Sequence, residues 1–126
     1  MRLSNYLFFR DGCEAALTFY TLCGFGSVGL LVRYPEGSMQ GKVMHASFSG
    51  PGVHFFASDN HDAEPMRGSA MMFELSDRVQ TEQLFERLAV GGQITTPLAV
   101  QTWGDYYGKL TDRFGVQWML NCSGVG

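Results

Sequence analysis

Apolar positions change their period along this chain, and the changes come twice in the same order. Residues 5–9, Asn-Tyr-Leu-Phe-Phe, make a short run that Arg10 and Asp11 stop, as a strand does. From Asp11 or Gly12 the period becomes helical: Ala16, Leu17 and Tyr20 form one stripe, and Gly24 follows Leu22 as a stop. Residues 28–34 are rich in branched side chains and read as a strand, and Pro35-Glu36-Gly37-Ser38 reads as a turn. Residues 42–48 and 53–58 then pair as a hairpin. Residues 59–68 are polar without a period and read as a linker. Residues 70–76 restart the series as a strand. Residues 81–90 form a helix with Leu84, Phe85 and Leu88 inward, closed by Gly91-Gly92. A strand at 94–100 precedes a last hairpin, 106–111 and 116–121, around the four-residue loop Asp112-Arg113-Phe114-Gly115. Asp opens such loops by bonding the backbone ahead of it, and Gly closes them.

The series is β-α-β-β-β twice, which predicts an α+β protein. The two halves also echo each other residue by residue. Gly115-Val116-Gln117-Trp118 moved back sixty-three places, half of 126, falls on Gly52-Val53-His54-Phe55. Tyr6 to Asp11 before the first helix is echoed by Met71 to Asp77 before the second. The expectation is one domain over 1–126, made of a module at 3–60 and a module at 68–124 that share a core.

Alternation along the strands sorts the side chains by face. Val116, Trp118 and Leu120 share one face of the last strand, and Gln117, Met119 and Asn121 the other. Its partner in the first half sorts Val53, Phe55 and Ala57 from His54, Phe56 and Ser58. The purely apolar faces belong under the helices, and the mixed faces line cavities. Glu74 falls with Ala70 and Met72 on the cavity side. With four residues in each hairpin loop, His45 stands opposite Phe56 and Tyr106 opposite Asn121, both facing the cavities; a slip of one residue reverses this.

Candidate chemistry follows from those faces. His45 and His54 titrate near neutrality and suit an acid–base or anchoring pair; the alternative is two hydrogen-bonded histidines in a half-buried sheet. Glu74 on an otherwise apolar strand is costly to bury without a ligand or partner. Trp103, Tyr106 and Tyr107 suit stacking on a planar or apolar ligand, or a core or dimer contact. The candidate ligand-binding set is His45, His54, Glu74, Trp103, Tyr106, Gln117 and Asn121. Trp118 is expected in the core, and His61 in solvent.

Composition narrows the classes. Hydrophobic residues make up 45 % and charged residues 17 %, which fits a folded domain. The formal net charge is -3 and no basic stripe exists, so nucleic-acid backbone binding lacks its main driving force. The apolar run at 6–9 is too short for a signal peptide or a membrane span, which predicts a cytoplasmic chain without membrane contact. Cys13, Cys23 and Cys122 are odd in number and form no CxxC pair, so they read as reduced packing residues; Cys13 beside a helix start is also a candidate thiolate. Asn121-Cys122-Ser123 matches the glycosylation pattern, which has no meaning at a cytoplasmic strand end. Gly24-Phe25-Gly26-Ser27-Val28-Gly29 matches GxGxxG, but it follows a helix and opens a strand, the reverse of a dinucleotide loop.

Asn5 to Tyr20, Lys42-Val43-Met44-His45-Ala46, Trp103-Gly104 and Leu110 to Asn121 together resemble the PhnB-like branch of the glyoxalase/bleomycin-resistance/dioxygenase (vicinal oxygen chelate) superfamily. The resemblance spans nearly the whole chain and implies two βαβββ modules with curled mixed sheets, commonly meeting across subunits in a homodimer. PhnB-like sequences often carry the label 3-demethylubiquinone 3-methyltransferase. Metalloenzymes of the superfamily hold a divalent ion on the first and last strands of both modules. The matching positions are about Asn5, Phe56, Ala70 and Met119, a set with almost no hard donors, which implies no metal and no other cofactor. Three functions of different classes follow: a metal-free small-molecule binding protein, favoured here; a lyase, isomerase or dioxygenase with noncognate metal ligands such as His45, His54 and Glu74, or a metal-free enzyme with His45 as base; and an interaction protein with a vestigial pocket.

Overall fold

A computed structural model of the protein describes residues 1–123. It divides into two compact units, the first Met1–Pro65 and the second beginning at Met66. The first unit runs β1 (Asn5–Phe9), α1 (Cys13–Cys23), β2 (Ser27–Arg33), β3 (Val43–Gly50) and β4 (Val53–Asp59); the second runs β5 (Met71–Leu75), α2 (Arg78–Leu88), β6 (Gln93–Val100), β7 (Tyr106–Thr111) and β8 (Gln117–Cys122). Each unit folds as one four-stranded mixed sheet, ordered β1-β4-β3-β2 and β5-β8-β7-β6. In both, the first strand lies parallel to the last and the other pairs are antiparallel. The twofold βαβββ reading of the sequence is therefore the fold.

One face of each sheet is sealed by its helix. In the first module the stripe Ala16, Leu17 and Tyr20 is buried against Leu7, Phe9, Phe48 and Phe55. The Tyr20 ring meets Phe48 and Phe55 edge-on at 6.4 and 6.3 Å, and those two rings stack at 5.0 Å. In the second module Leu84, Phe85 and Leu88 are buried with Leu110, Trp118 and Leu120. Trp118 stacks on Phe73 at 5.5 Å, and its indole N–H donates to Asp112 Oδ2 at 2.8 Å. A buried indole keeps a partner this way, so Trp118 is a core residue as the alternation implies.

Three expectations need correction. Helix α2 begins three residues before Thr81, because Asp77 caps it: its carboxylate accepts from Gln80 N at 3.1 Å. The first hairpin turns on two residues, Pro51-Gly52, not four, since Gly50 pairs with Val53 and Gly52 takes φ 72°. Phe56 therefore faces Ser47 rather than His45. This is a slip of two, so His45 keeps its face. The second hairpin slips by one. Asp112 N donates to Val116 O at 2.8 Å, leaving three residues at the tip with Gly115 at φ 89°. Tyr106 then pairs with Cys122, and Tyr107 takes the place opposite Asn121. Tyr106 consequently points to the helix side, where it is buried with Arg78 lying 4.2 Å over its ring.

Segment 24–29 joins α1 to β2 and carries no helix N-terminus for a phosphate. Gly26 is there for packing: a Cβ would lie 2.6 Å from both the Phe48 ring and the Ser49 carbonyl.

Candidate functional site

The sheet face opposite the helix is where each module exposes its chemistry. In the first module Tyr6 and Phe8 of β1, His45 of β3 and His54 and Phe56 of β4 share that face. Tyr6 pairs with Phe56 across the parallel ladder. The rings form a continuous patch: Tyr6–Phe8 at 4.7 Å, His45–Phe56 at 5.3 Å and His54–Phe56 at 4.9 Å. Phe8 is 46 % exposed, a large ring left in water on a small module. A hydrogen bond of 3.0 Å joins the Tyr6 hydroxyl to His45 Nδ1. With Tyr6 donating, the imidazole proton sits on Nε2 and can be offered to a ligand. His54 is exposed, and its ring meets Phe56 edge-on at 4.9 Å. The two histidines thus share a face and one aromatic neighbour.

In the second module the corresponding face carries Met72 and Glu74 of β5, Gln117, Met119 and Asn121 of β8, and Tyr107 and Lys109 of β7. Glu74 stands across the ladder from Asn121, on the side expected. It is exposed, however, so the burial cost that made it prominent in the sequence does not arise. Asn121 donates from Nδ2 to Asp105 at 2.9 Å. Gln117 donates from Nε2 to the Ser69 carbonyl at 3.0 Å and so ties the entry to β5 against β8. Beside that tie lies an open groove of about 430 Å³ lined by Gly68, Ser69, Ala70, Tyr107, Lys109, Gln117 and Met119. Its volume falls in the range of about 300–1,000 Å³ usual for small-molecule sites. Trp103 is 62 % exposed, with its ring 6.1 Å from that of Tyr107.

Of the residues singled out in the sequence, the groove takes Gln117 directly. Trp103 adjoins it through Tyr107. His45 and His54 lie on the first module, and Tyr106 is in the core. Sequence reasoning passed over Tyr6, Phe8 and Lys109. The signal was available: Leu7, Phe9 and Leu110 demand the helix side, and alternation then puts Tyr6, Phe8, Tyr107 and Lys109 on the other.

Metal binding can be tested on the same alternation. Across from Phe56 and Met119 stand Tyr6 and Met72, not Asn5 and Ala70. Asn5 pairs with Phe55 instead. A phenol, a phenyl ring and two thioethers are not the donor set of a hard divalent ion, so these positions do not fit one. Among the described residues no three His, Cys, Asp or Glu side chains converge as metal ligands. Cys13 is free and fully buried. Its thiol is pushed up to about 12, first by burial and then by the nearby charges of Asp59 and Glu14. Asp59 instead serves the backbone, accepting from Cys13 N at 2.9 Å and Val43 N at 3.0 Å.

The family model described as 3-demethylubiquinone-9 3-methyltransferase matches residues 1–121. The chain belongs to this family. Protein PA1353 from Pseudomonas aeruginosa is 32 % identical, with 97 % of each chain covered and a TM-score of 0.87. The solved putative 3-demethylubiquinone-9 3-methyltransferase, PhnB protein, from Bacillus cereus is 25 % identical, covering 98 % of this chain and 100 % of its own, with a TM-score of 0.86. A glyoxylase/bleomycin resistance protein/dioxygenase domain from Frankia sp. EAN1pec shares the fold at 16 % identity, 97 % coverage of both chains and a TM-score of 0.71. The PhnB-like branch and the superfamily fold inferred from Asn5–Tyr20 and Leu110–Asn121 are thereby established. Methyl transfer, which the family's description names, finds no nucleotide loop in segment 24–29 of this member, because that segment opens a strand.

Proposed function

We propose that this member of the family is a metal-free small-molecule binding protein that uses the helix-free sheet faces of its modules. The observation that carries the reading is the groove beside Gln117, roomy enough for a small molecule and lined by mixed polar and apolar side chains. The aromatic patch of Tyr6, Phe8, His45, His54 and Phe56 supports it, since it pairs stacking surface with one orientable imidazole. Phe56 and Met119, which the resemblance matches to metalloenzyme ligand positions, and their ladder partners Tyr6 and Met72 argue against the alternative, a metal-dependent lyase, isomerase or dioxygenase. We propose a homodimer as the working form, because a lone four-stranded sheet leaves edges that a second copy covers. A cytoplasmic location is part of the same proposal; neither helix, at 11 residues each, is long and apolar enough to cross a membrane.

Native mass spectrometry of freshly purified, untagged protein tests all of this together. The expected result is a dimer that carries or accepts a small organic molecule and holds no stoichiometric metal. One tightly held metal ion per chain would overturn the reading in favour of the alternative.

A further inference from the structure

The groove of the second module has an electrostatic asymmetry that narrows what it can hold. Lys109 is the only charged residue among those lining it. Lys109 is half-buried, and among the described residues no carboxylate lies within ion-pair distance of it. The ion pairs Arg33–Glu14, Lys42–Asp11 and Arg78–Glu82 lie elsewhere. Strand β7 makes the placement firm. Gly108 and Leu110 are buried beneath α2, so Lys109 between them must project to the helix-free face. Across the ladder it meets Met119, whose thioether cannot neutralise it.

The remaining walls are matched to an apolar body. Tyr107 supplies a ring and Met119 a polarizable thioether, both good contacts for an arene. Gln117 gives one amide N–H to the Ser69 carbonyl and keeps its second N–H and its own carbonyl for other partners. The carboxylates of the same face stand at the Tyr107 end of the groove: Glu74 in the row of Asn121 and Tyr107, and Asp105 bonded to Asn121. They disfavour a negative group at that end and so fix it at Lys109.

We propose that this groove binds small aromatic or otherwise apolar organic anions, carboxylates or sulfonates, with Lys109 as the counter-ion and Tyr107 and Met119 against the apolar body. The inference rests on the binding function proposed above and names the ligand class of that site.

Two dyes that differ in one charge test it on the full chain. The first is 8-anilinonaphthalene-1-sulfonate; the second is N-phenyl-1-naphthylamine, the same skeleton without the sulfonate. Fluorescence titrations are run on the wild type, Lys109→Gln, Lys109→Arg and Ala70→Trp, the last filling the groove from its exposed rim; circular dichroism verifies each fold. The expected result is that Lys109→Gln weakens the sulfonate about tenfold, the worth of one charge-assisted contact. Lys109→Arg restores it, the uncharged dye is indifferent to both changes, and Ala70→Trp blocks both dyes. If both dyes bind and are blocked by Ala70→Trp but neither responds to Lys109→Gln, the anion class is overturned while the binding function stands. If neither dye binds, or Ala70→Trp leaves both unchanged, the ligand role of the groove falls with it.

Discussion

Helix α1 has no cap of its own, and Asp59 supplies one from the far end of the module. Its N-cap residue is Gly12, which has no side chain to offer, yet the first helical amide, Cys13 N, is bonded to Asp59 Oδ1 at 2.9 Å. The second oxygen takes Val43 N at 3.0 Å, so one carboxylate, 3 % exposed, fastens the start of the helix and the start of β3 to the end of β4. Asp59→Ala leaves two buried amides without a partner. An unsatisfied buried donor costs about 1–3 kcal/mol, so the pair is expected to cost about 3 kcal/mol. The loss of a negative charge at a helix N-terminus adds up to about 1 kcal/mol. Asp59→Asn keeps one acceptor and turns an N–H toward the other amide, so about half of the loss is expected. Urea unfolding followed by far-ultraviolet circular dichroism measures both variants. With a slope of about 2 kcal/mol per molar, the Ala midpoint should fall by about 1.5 M. An Ala variant within about 0.5 kcal/mol of wild type, or an Asn variant equal to wild type, would refute the claim that this carboxylate fastens the module.

Other expectations are more local. Cys13, Cys23 and Cys122 are all free and buried, and Cys13 is pushed up to about 12, so Ellman's reagent at pH 8 should label none of the three in the native protein and all three in denaturant; fast native labelling of one thiol would reopen a catalytic role for it. Gly26→Ala should destabilise by about 1–3 kcal/mol, since its Cβ would meet the Ser49 backbone carbonyl as well as the buried Phe48 ring; a melting temperature equal to wild type would contradict that packing. The two hydrogen bonds from Arg33, at 2.9 and 2.7 Å, hold the Glu14 carboxyl below the usual value. The folded pKa is the depressed one, so the pair's contribution is present above the unfolded value and is lost as pH falls through the folded one. An NMR titration of Arg33→Gln should return Glu14 to the ordinary carboxylate range, and an unchanged midpoint would show that Arg33 is not the cause.

Most of the fold was legible because periodicity and punctuation agreed. Strand β1 and the pair of helices with their inward stripes follow from apolar spacing, and Gly24 and Gly91 stand where the helical patterns end. The start of α2 was misread because Arg78, Val79 and Gln80 show no apolar stripe; the cap at Asp77 carried the information instead. Asp59 was invisible for a different reason. Its partners lie 46 and 16 residues away, and no local pattern distinguishes a buried carboxylate that serves two amides from a polar residue opening a linker.

The site was harder because it hangs on parity. A hairpin loop misjudged by an even number of residues moves a side chain along its face, and one misjudged by an odd number moves it to the other face. The first hairpin went the first way, so His45 stayed on the exposed face although its ladder partner changed. The second went the other way, so Tyr106 left the surface and Tyr107 took its place. Counting loop residues was the weaker guide. Leu110 is an aliphatic residue at the end of β7 that must be buried, and counting back in twos from it puts Gly108 and Tyr106 beneath the helix without any assumption about the loop. The same count brings out Lys109, the residue on which the ligand class of the groove turns. A strand's own least ambiguous residue fixes its facing more securely than the turn that precedes or follows it, because burial of a leucine is decided by several kcal/mol of packing and a turn's length by much less.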